Sequence, residues 1–297
     1  MFGVLLASLA ALSAATSRAQ GQPPADHPAV TVRGQLYTPR SILARNMGTP
    51  EDQTTQFPPH KIVANVYYVG TKTLSSFLLT TPQGHILLDS TYERNVATIE
   101  KSVSDLGFKF SDVKILLGNH AHGDHQEGDA LVKQKTGAQV VVMAEDVPPL
   151  QAIKPGGKEH PIDRIIHDGD TVTLGGTTLV AHLTAGHTPG CTTWTMRARD
   201  AGRTYNVVFH CSLRAGAITP ATIDQFNRTF KVVRSMPCDV PLGDHPAQYN
   251  MHEKHAKLQA GGANPFIDAA NCNVETDIQE AMFRAALDEQ QQASPAR

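Results

Sequence analysis

The chain has 297 residues and a formal net charge of −2, enough material for one large domain or two small ones with a sizeable core. Charge is near balance and no basic run occurs, so neither nucleic acid nor an anionic membrane surface is expected as a partner.

In chain order, residues 2–15 (FGVLLASLAALSAA) are apolar and small. Ser17 and Ala19 follow with the spacing of a signal-peptidase site. Residues 1–19 therefore read as a secretory signal peptide, with the mature chain beginning near Gln20. The apolar stretch is shorter than the ~20 residues a spanning helix needs. A periplasmic protein with no stable membrane association after cleavage is expected.

Residues 20–60 are rich in Pro and polar residues and read as an extended N-terminal arm, leaving 61–297 as the main domain. Strand-like runs open that domain: KIVANVYYVG, LSSFLLTT and HILLD, with Pro82-Gln83-Gly84 as a turn. RNVATIEKSVSDLG is helix-like and stops at Gly107. VKILLG is a strand, followed by a helix around 128–136, the strand AQVVVM, and a loop at 147–163. TVTLGGTTLVAHLTAG reads as two strands and 191–211 as a hairpin. ATIDQFNRTFKVVRSM is an amphipathic helix, CDVPLG a strand, and 275–290 a terminal helix. Strand groups alternating with single helices predict a sheet-rich α/β core with helices outside.

Export makes the even count of four cysteines read as disulfides. In the hairpin, Asp200-Ala201-Gly202 serves as a three-residue loop, with Arg199 facing Arg203. That register sets Cys191 opposite Cys211 and leaves Cys238 to pair with Cys272.

GNHAHGDHQEG, directly after VKILLG, carries the chemistry. On an extended chain His120 and His122 point to one face, and a tight turn returns Asp124 and His125 to the same space. Imidazole and carboxylate are zinc ligands, and four such groups exceed what one catalytic zinc takes from a short segment. Two more candidates follow strands and are flanked by Gly and Pro: His187 in TAGHTPG and His245 in PLGDHPA. Two triads result, His120, His122 and His187 for one metal and Asp124, His125 and His245 for the other. Each leaves a position open, as a catalytic site requires. The remaining histidines, among them His27, His60, His85, His160, His167, His252 and His255, read as core or surface residues.

HAHGDH and AGHTPG resemble the signature motifs of the metallo-β-lactamase superfamily. The resemblance spans most of the mature chain, from NVYYVG to the terminal helix. It implies an αββα sandwich with two zinc ions at one edge of the two sheets. His125 following the motif aspartate, NVYYVG, GHTPGCTTWT, PCDV, NPFID and Ser212 after NVVFHC look like subclass B3. Asn119, Gln126-Glu127-Gly128 and Arg214 depart from the usual pattern, and the segments 147–163 and 214–220 look short.

The resemblance implies a periplasmic, monomeric hydrolase that opens β-lactam rings with a zinc-activated water. A lactone or thioester hydrolase is the alternative within the same fold. Asp124 would bind the second zinc and orient the nucleophile. Ser212 and Arg214 are candidates for contacts to the substrate carboxylate, although Arg214 reads equally well as a solvated surface charge. Asp89 is a candidate to steady a metal ligand. Cys211 as a thiolate ligand is the competing reading to its disulfide.

Overall fold

The computed structural model describes residues 26–293; the expected signal peptide, 1–19, lies outside them. The described chain opens with a hairpin, β1 (Val30–Val32) and β2 (Gln35–Tyr37), and helix α1 (Pro39–Met47). The stretch read as an extended arm thus holds three elements. Thr38 caps α1 through its side chain and Pro39 opens the first turn. These two adjacent residues are the local signal that an averaged Pro-rich composition hid.

A seven-stranded sheet follows in sequence order: β3 (His60–Val63), β4 (Val66–Tyr68), β5 (Phe77–Thr81), β6 (Gly84–Leu88), β7 (Val113–Leu117), β8 (Gln139–Met143) and β9 (Arg164–Ile166). Its first four strands are antiparallel neighbours and its last four are parallel. The parallel crossovers carry α2 (Val96–Asp105), α3 (Gly123–Gln126), α4 (Asp129–Thr136) and α5 (Val147–Ala152). Helix α5 occupies the start of the expected 147–163 loop. Prolines at its first turn permit a helix there, where no internal hydrogen bond is lost.

The second sheet is β10 (Thr171–Leu174), β11 (Thr177–Leu183), β12 (Thr192–Asp200), β13 (Arg203–His210) and β14 (Val240–Gly243), in that order. Helices α6 (Pro220–Ser235), α7 (Met251–Ala260) and α8 (Val274–Ala293) complete the chain.

Strand periodicity sorts the core into layers. Phe77, Leu79, Ile86 and Leu88 face the second sheet and meet Trp194, Val207, Phe209 and Leu242. The rings of Phe77 and Phe209 lie 5.1 Å apart across this interface. Leu78, Leu87, Leu116 and Val140 point the other way, onto Val96, Ile99 and Val103 of α2. Burial on both faces explains why these strands read as unbroken apolar runs. On the far side, Phe226 and Phe230 of α6 pack with Phe283 of α8. The result is the αββα sandwich that the resemblance implies. Among the described residues no helix is long and apolar enough to cross a membrane.

The 191–211 hairpin turns in two residues, not three. Ala201 (φ 47°) and Gly202 (φ 83°) both adopt left-handed backbone, so Asp200 pairs with Arg203, the geometry of a tight turn that matches strand twist. The ladder is therefore shifted by one from the expected register. Cys191 and Cys211 nonetheless form a disulfide, because both lie beyond the strand ends and bridge diagonally, with Cα atoms 5.9 Å apart. Cys238 pairs with Cys272. Bonded in this way, Cys211 is not a thiolate ligand.

The Cys238–Cys272 bridge closes a loop of 34 residues that joins the approach to β14 to the start of α8. Replacing both cysteines by serine should lower unfolding free energy by about 3–4 kcal/mol through the added freedom of the unfolded chain. Urea denaturation under non-reducing conditions measures it, and an unchanged midpoint would refute the estimate.

Candidate metal centre

The residues singled out by the sequence converge at one edge of the sandwich. Asp89 follows β6, the 119–125 segment follows β7, His187 follows β11, Ser212 follows β13 and His245 follows β14. Two hydrogen bonds close this edge between the sheets: Thr192 N–H donates to the Asn119 carbonyl (2.8 Å) and Trp194 Nε1–H to the Gly118 carbonyl (3.1 Å).

Two clusters form. Ligand atoms of His120, His122 and His187 lie within 4.8 Å of one another, and so do those of Asp124, His125 and His245. The rings in the first cluster are mutually perpendicular, with centroids 4.6–4.7 Å apart, so their nitrogens aim at a common point. Asp124 Oδ2 lies 3.4 Å from His125 Nε2 and 3.9 Å from His245 Nε2. The clusters are adjacent, with the His120 and His125 rings 4.2 Å apart. Local folding explains the convergence: His122 is the extended residue that starts α3, so Asp124 and His125 fall on the first turn of a helix just after it.

Three of the five rings are oriented from behind by a hydrogen-bonding group. His125 Nδ1 faces Asp89 Oδ2 at 3.3 Å, His187 Nδ1 donates to the Arg214 carbonyl at 2.7 Å, and His245 Nδ1 to the Thr73 carbonyl at 3.0 Å. These contacts leave Nε2 as the inward lone pair, the arrangement that metal-binding histidines use. Asp89 also accepts the Asn119 N–H at 2.8 Å and sits at φ 64° in full burial. A non-glycine residue held there marks a position that the surrounding structure enforces.

Electrostatics fit a cation. Burial pushes His120 far below an ordinary imidazole, and burial with neighbouring His122 takes His187 to about 4. Burial also opposes charge on Asp124 and His125, but their mutual attraction wins: Asp124 is held well below the carboxylate range and His125 well above the imidazole range. Nε2 of His120 and of His125 is buried without a hydrogen-bond partner among the described residues, a cost that coordination would remove. Five imidazoles and a carboxylate are a donor set suited to zinc.

Several residues here carried no sequence signal. Asp146, buried after β8, accepts from Ala121 N–H (2.8 Å), Gly190 N–H (2.6 Å) and the Thr188 hydroxyl (2.9 Å). It therefore clamps the His120–His122 turn to the His187 loop. Gly190 is required at this contact, because a Cβ there would strike Asp146. The pocket above the histidines is lined by Ser212, Arg214 and Tyr92, and on its open side by Leu43, Asn46 and Met47 of α1. Arg214 is exposed but borders the pocket.

Residues 70–201 match the metallo-beta-lactamase superfamily. The chain resembles the FEZ-1 metallo-beta-lactamase of Legionella gormanii, with 39% identity over 80% of this chain and 98% of that one and a TM-score of 0.75. It likewise resembles BJP-1, a subclass B3 metallo-beta-lactamase of Bradyrhizobium japonicum, with 36% identity over 82% and 98% of the two chains and a TM-score of 0.75. A hydroxyacylglutathione hydrolase of Hyphomonas neptunium is 29% identical over 41% of this chain and 43% of its own length. The chain spans about half the length, or less, of the curated relatives it matches.

Asp146→Ala strands two buried amides and a hydroxyl, which should cost about 2–4 kcal/mol of stability. Hydrogen exchange at Ala121 and Gly190 should accelerate in step. Unchanged protection of those two amides would show that something other than Asp146 holds the loops together.

Proposed function

This chain belongs to the metallo-beta-lactamase superfamily, and from that premise we propose that it is a zinc-dependent hydrolase that opens the β-lactam ring of penicillins, cephalosporins and carbapenems. The observation that carries the reading is the pairing of two histidine-rich clusters with a pocket that offers Ser212 and Arg214 rather than a carboxylate at position 212. Export through residues 1–19 to the periplasm, and a main domain running from 61 to 297, are part of the same reading.

The ligands proposed are His120, His122 and His187 for one zinc and Asp124, His125 and His245 for the other. Such ions would supply a water of lowered pKa and a Lewis acid for the scissile carbonyl. Asp124, which when ionised only accepts hydrogen bonds, would accept from the nucleophilic water and aim it at the carbonyl carbon. Asp89 and the carbonyls of Arg214 and Thr73 keep the imidazoles from rotating as charge develops. The Ser212 hydroxyl and the Arg214 guanidinium receive the carboxylate of the substrate. Leu43 and Met47 form an apolar wall for its acyl side chain.

A carboxylate at position 212 would add negative charge to the metal centre. Ser212 supplies only a neutral hydroxyl, a lining that would suit a substrate presenting both a departing amide nitrogen and a neighbouring carboxylate. A β-lactam presents both and a lactone lacks them. The partial match to a hydroxyacylglutathione hydrolase keeps thioester cleavage as the second reading.

Elemental analysis of protein purified without chelator should approach two zincs per chain, and His245→Ala should lose mainly one of them. Zinc-loaded enzyme should hydrolyse a penicillin, a cephalosporin and a carbapenem, lose that activity to chelator and regain it with zinc. Ready cleavage of a lactoyl thioester with all three lactams left intact would overturn the substrate assignment.

A further inference from the structure

Four of the five clustered imidazoles face an acceptor with Nδ1. For His187 and His245 that acceptor is a backbone carbonyl, and for His125 it is Asp89. Behind His120 stands Asp244, with Oδ2 3.5 Å from His120 Nδ1. The other atom near that nitrogen is Cys211 Sγ, at 3.6 Å. A disulfide sulfur is a weak acceptor, so among the described residues the carboxylate is the strong partner of His120 Nδ1.

Asp244 is itself an anomaly. It is fully buried, and neither oxygen finds a hydrogen-bond donor among the described residues. A carboxylate in that condition is expensive unless a cation or a donor compensates it. His210, a buried imidazole outside the clusters, makes no hydrogen bond to it, since both its nitrogens are also without partners among the described residues. The carboxylate instead turns toward the metal centre, where its oxygens lie within 4.8 Å of ligand atoms of both His120 and His125, one from each triad. The backbone fixes this aim. Ser75 N–H donates to the Asp244 carbonyl at 3.0 Å, at the end of β14, with His245 next in the chain.

We infer that Asp244 is a positioning residue of the metal centre: it accepts from His120 Nδ1–H, fixes that ring with Nε2 inward, and supplies negative charge beneath both triads. Two divalent ions bring four positive charges into a site where Asp89 and Asp124 are the other carboxylates touching the histidines. Asp244 supplies a third negative charge there and is itself compensated when the ions are bound. This rests on the two-metal reading above.

The test is zinc affinity, measured by competition with a chromophoric chelator, together with thermal melting of the metal-free protein. Asp244→Asn keeps the shape and removes the charge. It should weaken one of the two zincs by about 10–100-fold, while the metal-free protein melts at or above the wild-type temperature because an uncompensated buried charge is gone. The cobalt-loaded variant should show an altered absorption spectrum. Wild-type affinity at both sites would overturn the inference. So would a fall in metal-free melting temperature that accompanies the loss of affinity, since that marks a purely structural role. If Asp244→Asn does not fold, as judged by the near-ultraviolet signal of Trp194, Asp244→Ser is read by the same criteria. Wild-type protein that takes up no zinc would instead refute the two-metal reading, whatever the variants do.

Discussion

Everything at the working edge follows from one constraint: polar groups taken out of water must find partners. Five imidazoles and at least three carboxylates crowd the ends of β6, β7, β11, β13 and β14, and most are buried. The protein compensates them from behind, with backbone carbonyls at His187 and His245 and a carboxylate at His125. What remains uncompensated points inward, at Nε2 of His120 and His125 and at Asp244. The sandwich makes this possible because two packed sheets bring the ends of separate strands together without any one loop having to be long.

Much of this was legible in the sequence, for identifiable reasons. The apolar runs of the seven-stranded sheet announced themselves because both faces are buried. The histidine segment stood out because no packing requirement places three imidazoles in six residues. His187 and His245 were visible through their position, directly after a strand and beside Gly and Pro. The two disulfides were expected from export and pairing. For Cys191–Cys211 the supporting register was off by one, since the left-handed backbone of Ala201 is not marked by residue type as a glycine would be.

What stayed hidden is of another kind. Asp146 acts through three hydrogen bonds to residues 25, 42 and 44 positions away, and an isolated aspartate after a strand gives no hint of that. Asp244 was overshadowed by His245, whose role accounted for the motif. Helix α1 was concealed by composition: 20–60 is rich in Pro, yet one proline sits where a helix begins. Long-range placement decides the two aspartates, whereas α1 had a local signal in Thr38 and Pro39 that the average composition masked.

Helix α1 has a consequence for how the molecule is made. Its inner side lines the pocket through Leu43, Asn46 and Met47, while it is held in place by the last helix. Ile42 packs with Ile278 and Met282, and Arg45 forms a two-pronged ion pair with Glu275 at 2.8 Å. A chain synthesised from its N-terminus produces α1 first and its anchor last. The histidine edge can assemble once β14 exists, but the wall beside it must wait for α8. The pocket wall is therefore set by a contact between two helices far apart in sequence, and its final shape must wait until α8 has been made.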